Sequence, residues 1–179
     1  IVMALQTVVS RNVDPLMMAV VTVGAIHSGL ANNVIPATAT LEISVRALDR
    51  DVRKTVERRV KAVIAAQAES FGVQAKIAWR EGYAVLVNTL EETNFARQVG
   101  VELVGPDKVI LQGPQVSGSE DFAFMLERRP GCYLMIGNGA GDQLGACMVH
   151  NPGYDFNDLN LSVGGAYWVL LTQRFLKVA

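Results

Sequence analysis

The alternation of residue types between positions 38 and 46 constrains this chain more than any other feature. Small or apolar residues occupy every second position, and polar residues take the positions between them: Ala39, Leu41, Ile43 and Val45 against Thr38, Thr40, Glu42, Ser44 and Arg46. A period of two is the repeat of a β-strand, because successive side chains point to opposite faces. The stretch predicts a strand of a sheet with one covered face, and it places Arg46 on the open face.

The residues before this strand predict a helix and a second strand. Apolar residues recur at helical spacing over positions 1–12, and the pattern stops at Asp14-Pro15, since proline disfavours α geometry in the residue before it. The run MAVVTVGAI at 18–26 is short and rich in β-branched residues, which is typical of a strand. A polar turn at 27–33 joins the two predicted strands.

A long amphipathic helix is predicted next, followed by a third strand. Asp49 can cap the helix at its N-terminus, and Gly72 stands where a C-terminal glycine is expected. Residues 73–80 then alternate between apolar and polar types. The order helix, strand, strand, helix, strand would become βαββαβ, the ferredoxin-like arrangement, if one further strand preceded residue 1.

The second half of the chain alternates between helical and strand patterns, which favours an α/β organisation. The predicted elements are a helix opened by a capping box at 88–91 and ending at Gly105, a strand at 108–111, a helix at 120–128 capped by Ser117 or Ser119, a strand at 132–136 and a helix at 159–178.

Composition narrows the class of protein. The chain has 179 residues, half of them hydrophobic, and a net charge of −1, so it can build a globular core and has no basic stretch that would attract nucleic acid or an anionic membrane. Cys132 and Cys147 match neither a CxxC pair nor a disulfide framework. Reduced thiols and the lack of a signal-like or spanning segment predict a cytoplasmic location.

A few residues could carry chemistry, and each has a plainer interpretation. His150 lies in the loop sequence VHNPGYDFND, where it could ligate a metal, although its sequence context alone favours a surface or capping role. Glu120 and Asp121 could be a catalytic carboxylate pair or partners of a helix dipole. Arg46 could be solvated or could grip a carboxylate through two hydrogen bonds. The GNGAG loop lacks the spacing of a phosphate-binding motif and predicts a flexible turn.

Four motifs taken together resemble a known family. They are ANNVIPATATLEISVR, SGSEDFAF, PGCYLMIGNG and VHNPGYDFND, in that order along the chain. The sequence is similar to the dinuclear-metal aminoacylase and carboxypeptidase superfamily, and specifically to its hippurate hydrolase (N-acyl-amino-acid amidohydrolase) branch. The likeness covers essentially the whole chain.

The resemblance implies an α+β fold of two parts. Residues 1–84 would form a ferredoxin-like lid and dimerisation domain without its first strand, and residues 85–179 the C-terminal part of an α/β metallopeptidase-like catalytic domain. A homodimer through the lid is expected. The implied reaction is attack of metal-activated water on the amide carbonyl of an N-acyl amino acid or small peptide.

The resemblance also assigns site residues. Asn33 and Arg46 would contact the substrate, with the arginine on its carboxylate, while Ser119, Glu120 and Asp121 would line the pocket. His150 would be a metal ligand. The family uses two divalent metal ions, for which zinc, manganese, cobalt or nickel would serve.

The remaining metal ligands and the catalytic glutamate of the family correspond to positions before residue 1. The sequence therefore predicts no catalytic residue in this chain, which starts without an initiator methionine inside an apolar pattern. We expect a fragment that does not hold both metals and is inactive on its own. The alternative is a ferredoxin-like dimerisation or binding module without catalysis.

Overall fold

The computed structural model describes residues 1–142 and 146–176. Its helices and strands are α1 (Val2–Leu5), α2 (Thr7–Asn12), β1 (Ala19–Ser28), β2 (Ala39–Ala47), α3 (Arg50–Ser70), α4 (Leu90–Val104), a 3-10 turn (Pro106–Lys108), α5 (Phe122–Leu126) and α6 (Leu159–Phe175). Within these ranges, no helix combines the length and apolar character needed to cross a membrane. The end of the last predicted helix, at 177–178, lies outside the described residues.

The chain divides into two compact units. The first contains Ile1–Val85 together with Val116–Glu120, and the second contains Leu86–Gln115 and Asp121–Ala179. The first unit holds the hairpin of β1 and β2, and the second holds α4, α5 and α6. The identity of these units as a lid and part of a catalytic domain stays a prediction.

The predicted hairpin is confirmed. Strands β1 and β2 pair antiparallel, from Ala19 opposite Ala47 to Ser28 opposite Ala39, with an irregularity in the register beside Gly24. Exposure alternates along both strands, as the sequence pattern requires for a sheet covered on one face.

The core of the first unit lies between the covered face of the hairpin and the first three helices. Its fully buried side chains come from α1, α2 and α3: Leu5, Val8, Val56 and Val60. Partly buried side chains of both strands, such as Val21 and Ile43, pack against this cluster. The predicted N-terminal helix is divided at Gln6 into α1 and α2.

Helix α3 begins and ends where the sequence predicts. The Asp49 carboxylate accepts hydrogen bonds of 2.9 Å from the backbone amides of Asp51 and Val52, which are otherwise unbonded donors of the first turn. Gly72 follows the helix with a φ of +67°, the left-handed conformation that favours glycine.

The predicted third strand at 73–80 is wrong. The structure assigns no strand there, because the segment forms no ladder with β1 or β2, and alternation of side chains cannot substitute for a neighbouring backbone. Trp79 packs against the core and lies beneath the Lys61 ammonium, 5.1 Å from the ring centroid. Val73 is 56% exposed.

The second unit is organised by α4 and α6. Tyr167 of α6 is buried, and its hydroxyl donates a 3.1 Å hydrogen bond to the Ala96 carbonyl of α4. The rings of Phe95 and Phe175 meet edge to face with centroids 6.2 Å apart. These contacts hold two helices that are distant in sequence.

Three predictions for the second unit need correction. Thr89, rather than Asn88, occupies the N-cap position of helix α4 and makes no side-chain capping hydrogen bond, while the Asn88 side-chain amide is bound to the backbone of Tyr133. Helix α5 begins after Asp121, so neither Ser117 nor Ser119 caps it. The segments at 108–111 and 132–136 are not strands, since neither forms a ladder within the described residues.

The fold is therefore α+β with one two-stranded antiparallel sheet among the described residues. The α+β class is confirmed, and the ferredoxin-like description of the first unit stays a prediction.

Candidate functional site

Arg46 lies on the open face of the hairpin, as predicted. It is exposed, near the end of β2, and opposite Val20 of β1. Its neighbours Val45 and Ala47 are partly buried, so the pleat fixes the direction of the arginine side chain away from the core.

The Arg46 guanidinium is held by the SGSEDF segment. Its Nη1 donates a 2.7 Å hydrogen bond to the backbone carbonyl of Ser117. Both residues belong to the first unit, although 71 positions separate them. The structure thus brings together two of the motifs that sequence analysis selected separately.

Asn33 is placed elsewhere on the hairpin. It is exposed in the loop between β1 and β2, a loop closed by a 2.9 Å hydrogen bond from the Ser28 hydroxyl to the Thr38 carbonyl. Arg46 lies seven positions beyond Ala39, where β2 begins, which corresponds to roughly 24 Å along an extended strand. One chain does not bring Asn33 and Arg46 together.

The three predicted pocket residues are divided between the two units along the sequence. Ser119 is exposed, Glu120 is half-buried, and both belong to the first unit with Ser117. Asp121 belongs to the second unit, as the first residue of its stretch Asp121–Ala179, and it directly precedes α5. The Asp121 carboxylate makes no capping hydrogen bond to α5, so its side chain is not used to begin that helix.

His150 has an unusual backbone. Among the described residues other than glycine, it alone has a positive φ, at 71°. The left-handed region is several-fold enriched in Asn, Asp and His, and strained residues concentrate at functional sites. The His150 side chain is exposed, so a residue with this uncommon backbone conformation presents its imidazole at the surface.

The loop around His150 is braced by side-chain amides. Asn151 accepts a 2.8 Å hydrogen bond from the Gly153 amide, which forms a tight turn directly after the histidine. Asn138 of the GNGAG loop donates to the Asp155 carbonyl at 2.8 Å and accepts from the Asn157 amide at 2.9 Å. The glycine-rich loop therefore fixes the path of the histidine loop, a role that sequence analysis did not assign to Asn138.

A small cleft adjoins this braced loop. It has a volume of about 310 Å³ and is lined by Ile136, Asn138, Tyr154, Phe156, Asn160, Leu161, Gly164 and Gly165. Its lining combines apolar and aromatic side chains with two amides, which suits a small organic group. His150 precedes the first aromatic liner, Tyr154, by four positions.

The described residues do not form a dinuclear metal site by themselves. Within 1–142 and 146–176, no three side chains of His, Cys, Asp or Glu are grouped closely enough to hold a metal ion. A bound zinc or similar ion needs three or four such donors at once. His150 could contribute one ligand, and it cannot hold two ions.

Comparison with known proteins decides the family. The model of peptidase family M20/M25/M40 matches residues 6–174. The chain belongs to this M20 family. It is 36% identical over 177 residues to the hippurate hydrolase of Campylobacter jejuni, covering 99% of this chain and 45% of that protein.

Two further M20 relatives agree. The N-acetyl-L-cysteine deacetylase of Bacillus subtilis is 39% identical over 137 residues, which cover 76% of this chain and 32% of the relative. The crystal structure of the Bacillus subtilis YXEP protein, a dinuclear metal binding peptidase of the M20 family, matches with a TM-score of 0.72 and 26% identity, covering 99% of this chain and 46% of that one. The chain spans less than half the length of each relative.

Proposed function

We propose that this M20 chain is the substrate-holding portion of a metal-dependent amidohydrolase that cleaves the amide bond of N-acyl amino acids of the hippurate type. The observation that supports it most is the hydrogen bond from Arg46 to Ser117, since it fixes an exposed guanidinium beside the SGSEDF segment. The names of the relatives, a hippurate hydrolase and an N-acetyl-L-cysteine deacetylase, favour this substrate class.

Arg46 would hold the carboxylate of the substrate. Guanidinium offers five N–H donors, and the bond to Ser117 uses one of them. A carboxylate needs two parallel N–H donors for bidentate binding, so the tether leaves the arginine able to bind it. The tether also restricts the side chain, which reduces the entropy lost when the substrate binds.

Asn33 would contact the substrate across a homodimer. It lies at the opposite end of the hairpin from Arg46, so a single chain does not bring both residues to one ligand. Exposed apolar side chains surround Asn33 in the same loop: Leu30, Val34 and Ile35. A second copy covering this loop would bury them, which favours dimerisation through the first unit.

His150 would supply one ligand to the metal centre. A metal ion held there together with ligands from outside the described residues would activate a water molecule for attack on the amide carbonyl. The residues of this chain would position the substrate, with Arg46 on its carboxylate and Ser119, Glu120 and Asp121 along its path.

The proposal is tested with two proteins. The 179-residue chain, supplied with zinc, cobalt, manganese or nickel, is expected to show no hydrolysis of hippurate or N-acetyl amino acids above a metal-only blank. A fusion in which this chain replaces the matched region of the Campylobacter jejuni hippurate hydrolase is expected to release glycine from hippurate. A folded, metal-loaded fusion that cleaves none of these amides would overturn the assignment.

A pair of variants in the fusion tests the role of Arg46. Arg46→Lys keeps the charge and loses the fork geometry, so KM for hippurate should rise about tenfold with a smaller change in kcat. Arg53→Lys is the matched control, because Arg53 is another arginine of the first unit bound to backbone carbonyls, those of Tyr83 and Gly82. An equal rise in KM for both variants would contradict the assignment.

A further inference from the structure

The glycine-rich loop contains an Asn-Gly pair, Asn138-Gly139, and the sequence has no second one. Glycine lacks a Cβ, so it leaves the side-chain carbonyl carbon of a preceding asparagine open to attack by the glycine backbone nitrogen. The attack closes a five-membered ring, and reactions between groups already held in one molecule are strongly favoured over bimolecular ones. Asn138 is therefore the asparagine of this chain whose amide is most readily lost.

The fold requires both residues of this pair. Gly139 has a φ of 152°, which residues with a Cβ rarely adopt. Asn138 is the brace of the loop that carries His150, because its Nδ2 donates to the Asp155 carbonyl at 2.8 Å and its Oδ1 accepts from the Asn157 amide at 2.9 Å. A chemically labile amide thus holds the loop 150–157 in place.

The same hydrogen bonds oppose loss of the amide. Both ends of the Asn138 side-chain amide are bound to the loop 150–157, and the Asn157 side chain donates a further 3.3 Å hydrogen bond to the Asn138 backbone carbonyl. Ring closure requires the amide to turn toward the Gly139 nitrogen, which breaks the bonds at both ends. The reaction therefore passes through a local opening, and its rate follows the population of the open state.

Loss of the amide would remove the brace. A carboxylate has no N–H donor, so an aspartate at position 138 would set a charged oxygen against the Asp155 carbonyl, where a 2.8 Å hydrogen bond now lies. The other product, isoaspartate, continues the chain through the side chain and adds one carbon to the backbone. Since Asn160 of α6 holds the Gly137 carbonyl at 3.1 Å, the longer backbone would shift residue 138 relative to its partners at 155–157.

We propose that Asn138-Gly139 is a deamidation site, that the brace to residues 155–157 controls its rate, and that deamidation releases the loop carrying His150. The Gly139 backbone nitrogen loses its proton to solvent and bonds to Cγ of Asn138, while the Cγ–Nδ2 bond breaks and Nδ2 leaves as ammonia. Water then opens the cyclic imide at either of its two carbonyls, which gives aspartate or isoaspartate.

The rate is measured on the 179-residue chain, folded and in guanidinium chloride, at mildly alkaline pH. Peptide mass spectrometry detects conversion of amide to acid at each asparagine. Asn138 should react about thirtyfold more slowly in the folded chain, the factor that two hydrogen bonds supply. Asn160 is the matched control, since its side chain also donates to a backbone carbonyl but Leu161 follows it, and it should react far more slowly than Asn138 in guanidinium chloride.

A variant of Asn157 tests the control of the rate by the brace. Asn157→Asp removes the N–H that donates to the Asn138 carbonyl, and it keeps the side-chain oxygen that accepts from the Leu159 amide at 3.1 Å. Deamidation of Asn138 should accelerate about fivefold in the folded variant, as expected for one lost hydrogen bond. The rate in guanidinium chloride should not change.

A second pair of variants tests the release of the loop. In Asn138→Asp, amide hydrogen exchange at 155–157 should accelerate about fivefold or more. Asn94→Asp is the matched control, because it adds the same charge in α4, where Asn94 accepts from Arg97, and leaves the brace intact. Circular dichroism establishes that both variants keep their helices. If Asn138→Asp loses them, the deamidated natural chain, separated by its added negative charge on an ion-exchange column, is measured instead.

Three outcomes would overturn the inference. They are equal rates at Asn138 in the folded and unfolded chains, a rate at Asn138 no higher than that at Asn160 in guanidinium chloride, and unchanged exchange at 155–157 after the amide is lost. Neither measurement uses hydrolase activity, so a failure of the proposed function is detected separately.

Discussion

The Arg46 guanidinium and the Ser117 carbonyl, 71 positions apart in sequence, are joined by a 2.7 Å hydrogen bond. The bond links the open face of the hairpin to the segment Val116–Glu120, the part of the first unit that is remote from the rest in sequence. A side chain on a strand thus holds a loop in position, and the loop in turn limits the orientation of the side chain.

Removal of this tether should loosen the loop. In the Arg46→Ala variant, amide exchange of residues 116–120 should accelerate up to about fivefold, because an exposed hydrogen bond stabilises by about 1 kcal/mol or less. Arg53→Ala is the control, since Arg53 binds the carbonyls of Tyr83 and Gly82 and should loosen 82–83 instead. Unchanged exchange at 116–120 in Arg46→Ala would show that the bond does not restrain the loop.

The sequence predicted features whose causes are local. The hairpin follows from an alternation of residue types at consecutive positions. The cap of α3 follows from the Asp49 carboxylate, which accepts hydrogen bonds from backbone amides two and three residues further along the chain. The third strand failed because a ladder depends on a neighbouring backbone, which side-chain alternation at 73–80 does not report. The N-cap position of helix α4 is one residue later than the sequence predicts, at Thr89. The predicted cap residue, Asn88, instead bonds through its side-chain amide to Tyr133, 45 positions away.

The features of the candidate site also fall into two groups: those that the sequence pattern predicts and those that depend on tertiary structure. Exposure of Arg46 could be read from the strand pattern, whereas its bond to Ser117 depends on tertiary structure. The positive φ of His150 and the bracing by Asn138 arise from the path of two loops, and a single sequence carries no direct sign of either. A glycine-rich stretch indicated a turn but not which residue of it was structurally important.

The N-terminal cap of α3 should contribute measurably to stability. Asp49→Ala removes both 2.9 Å hydrogen bonds to the first turn and should lower the free energy of unfolding by about 1 kcal/mol. Asp51→Ala, whose carboxylate is exposed and forms a 3.6 Å ion pair with Lys54, should cost less. Urea denaturation of the three proteins measures the difference, and an equal loss in both variants would argue against capping by Asp49.

The core of the first unit should depend on Leu5. This side chain is fully buried, so Leu5→Ala leaves a cavity and should cost about 2–5 kcal/mol. Leu16 is 92% exposed, and Leu16→Ala should change stability by less than about 0.5 kcal/mol. Thermal or urea unfolding followed by far-ultraviolet circular dichroism checks both, and a small loss for Leu5→Ala would mean that α1 is not part of the cooperative core.

The ion pair between α4 and α6 should make stability depend on acid pH. The hydrogen bond from Arg174 lowers the pKa of the Glu102 carboxyl below its ordinary 4.5; desolvation opposes this decrease, and the positive charge of Arg174 adds to it. As pH falls through this region, the unfolded chain takes up the proton first, so the stabilisation is present above the ordinary pKa and is lost as pH falls through the folded one. Melting temperatures should therefore favour the natural chain over Glu102→Gln at pH 6, and the advantage should shrink below pH 4. A constant difference across this range would exclude the ionised pair as its source.

The Tyr167 hydroxyl should stabilise the same helix pair through its bond to the Ala96 carbonyl. Tyr167→Phe removes the 3.1 Å hydrogen bond and should cost about 1 kcal/mol near neutral pH. Burial raises the pKa of Tyr167 above its ordinary 10.0, and the nearby Cys132 thiolate adds to the effect. Above pH 10 the unfolded chain ionises first, so the natural protein loses stability there and Tyr167→Phe should lose less. The stability curves of the two proteins should therefore converge between pH 9 and pH 11, and curves that stay parallel would show that Tyr167 does not ionise on unfolding.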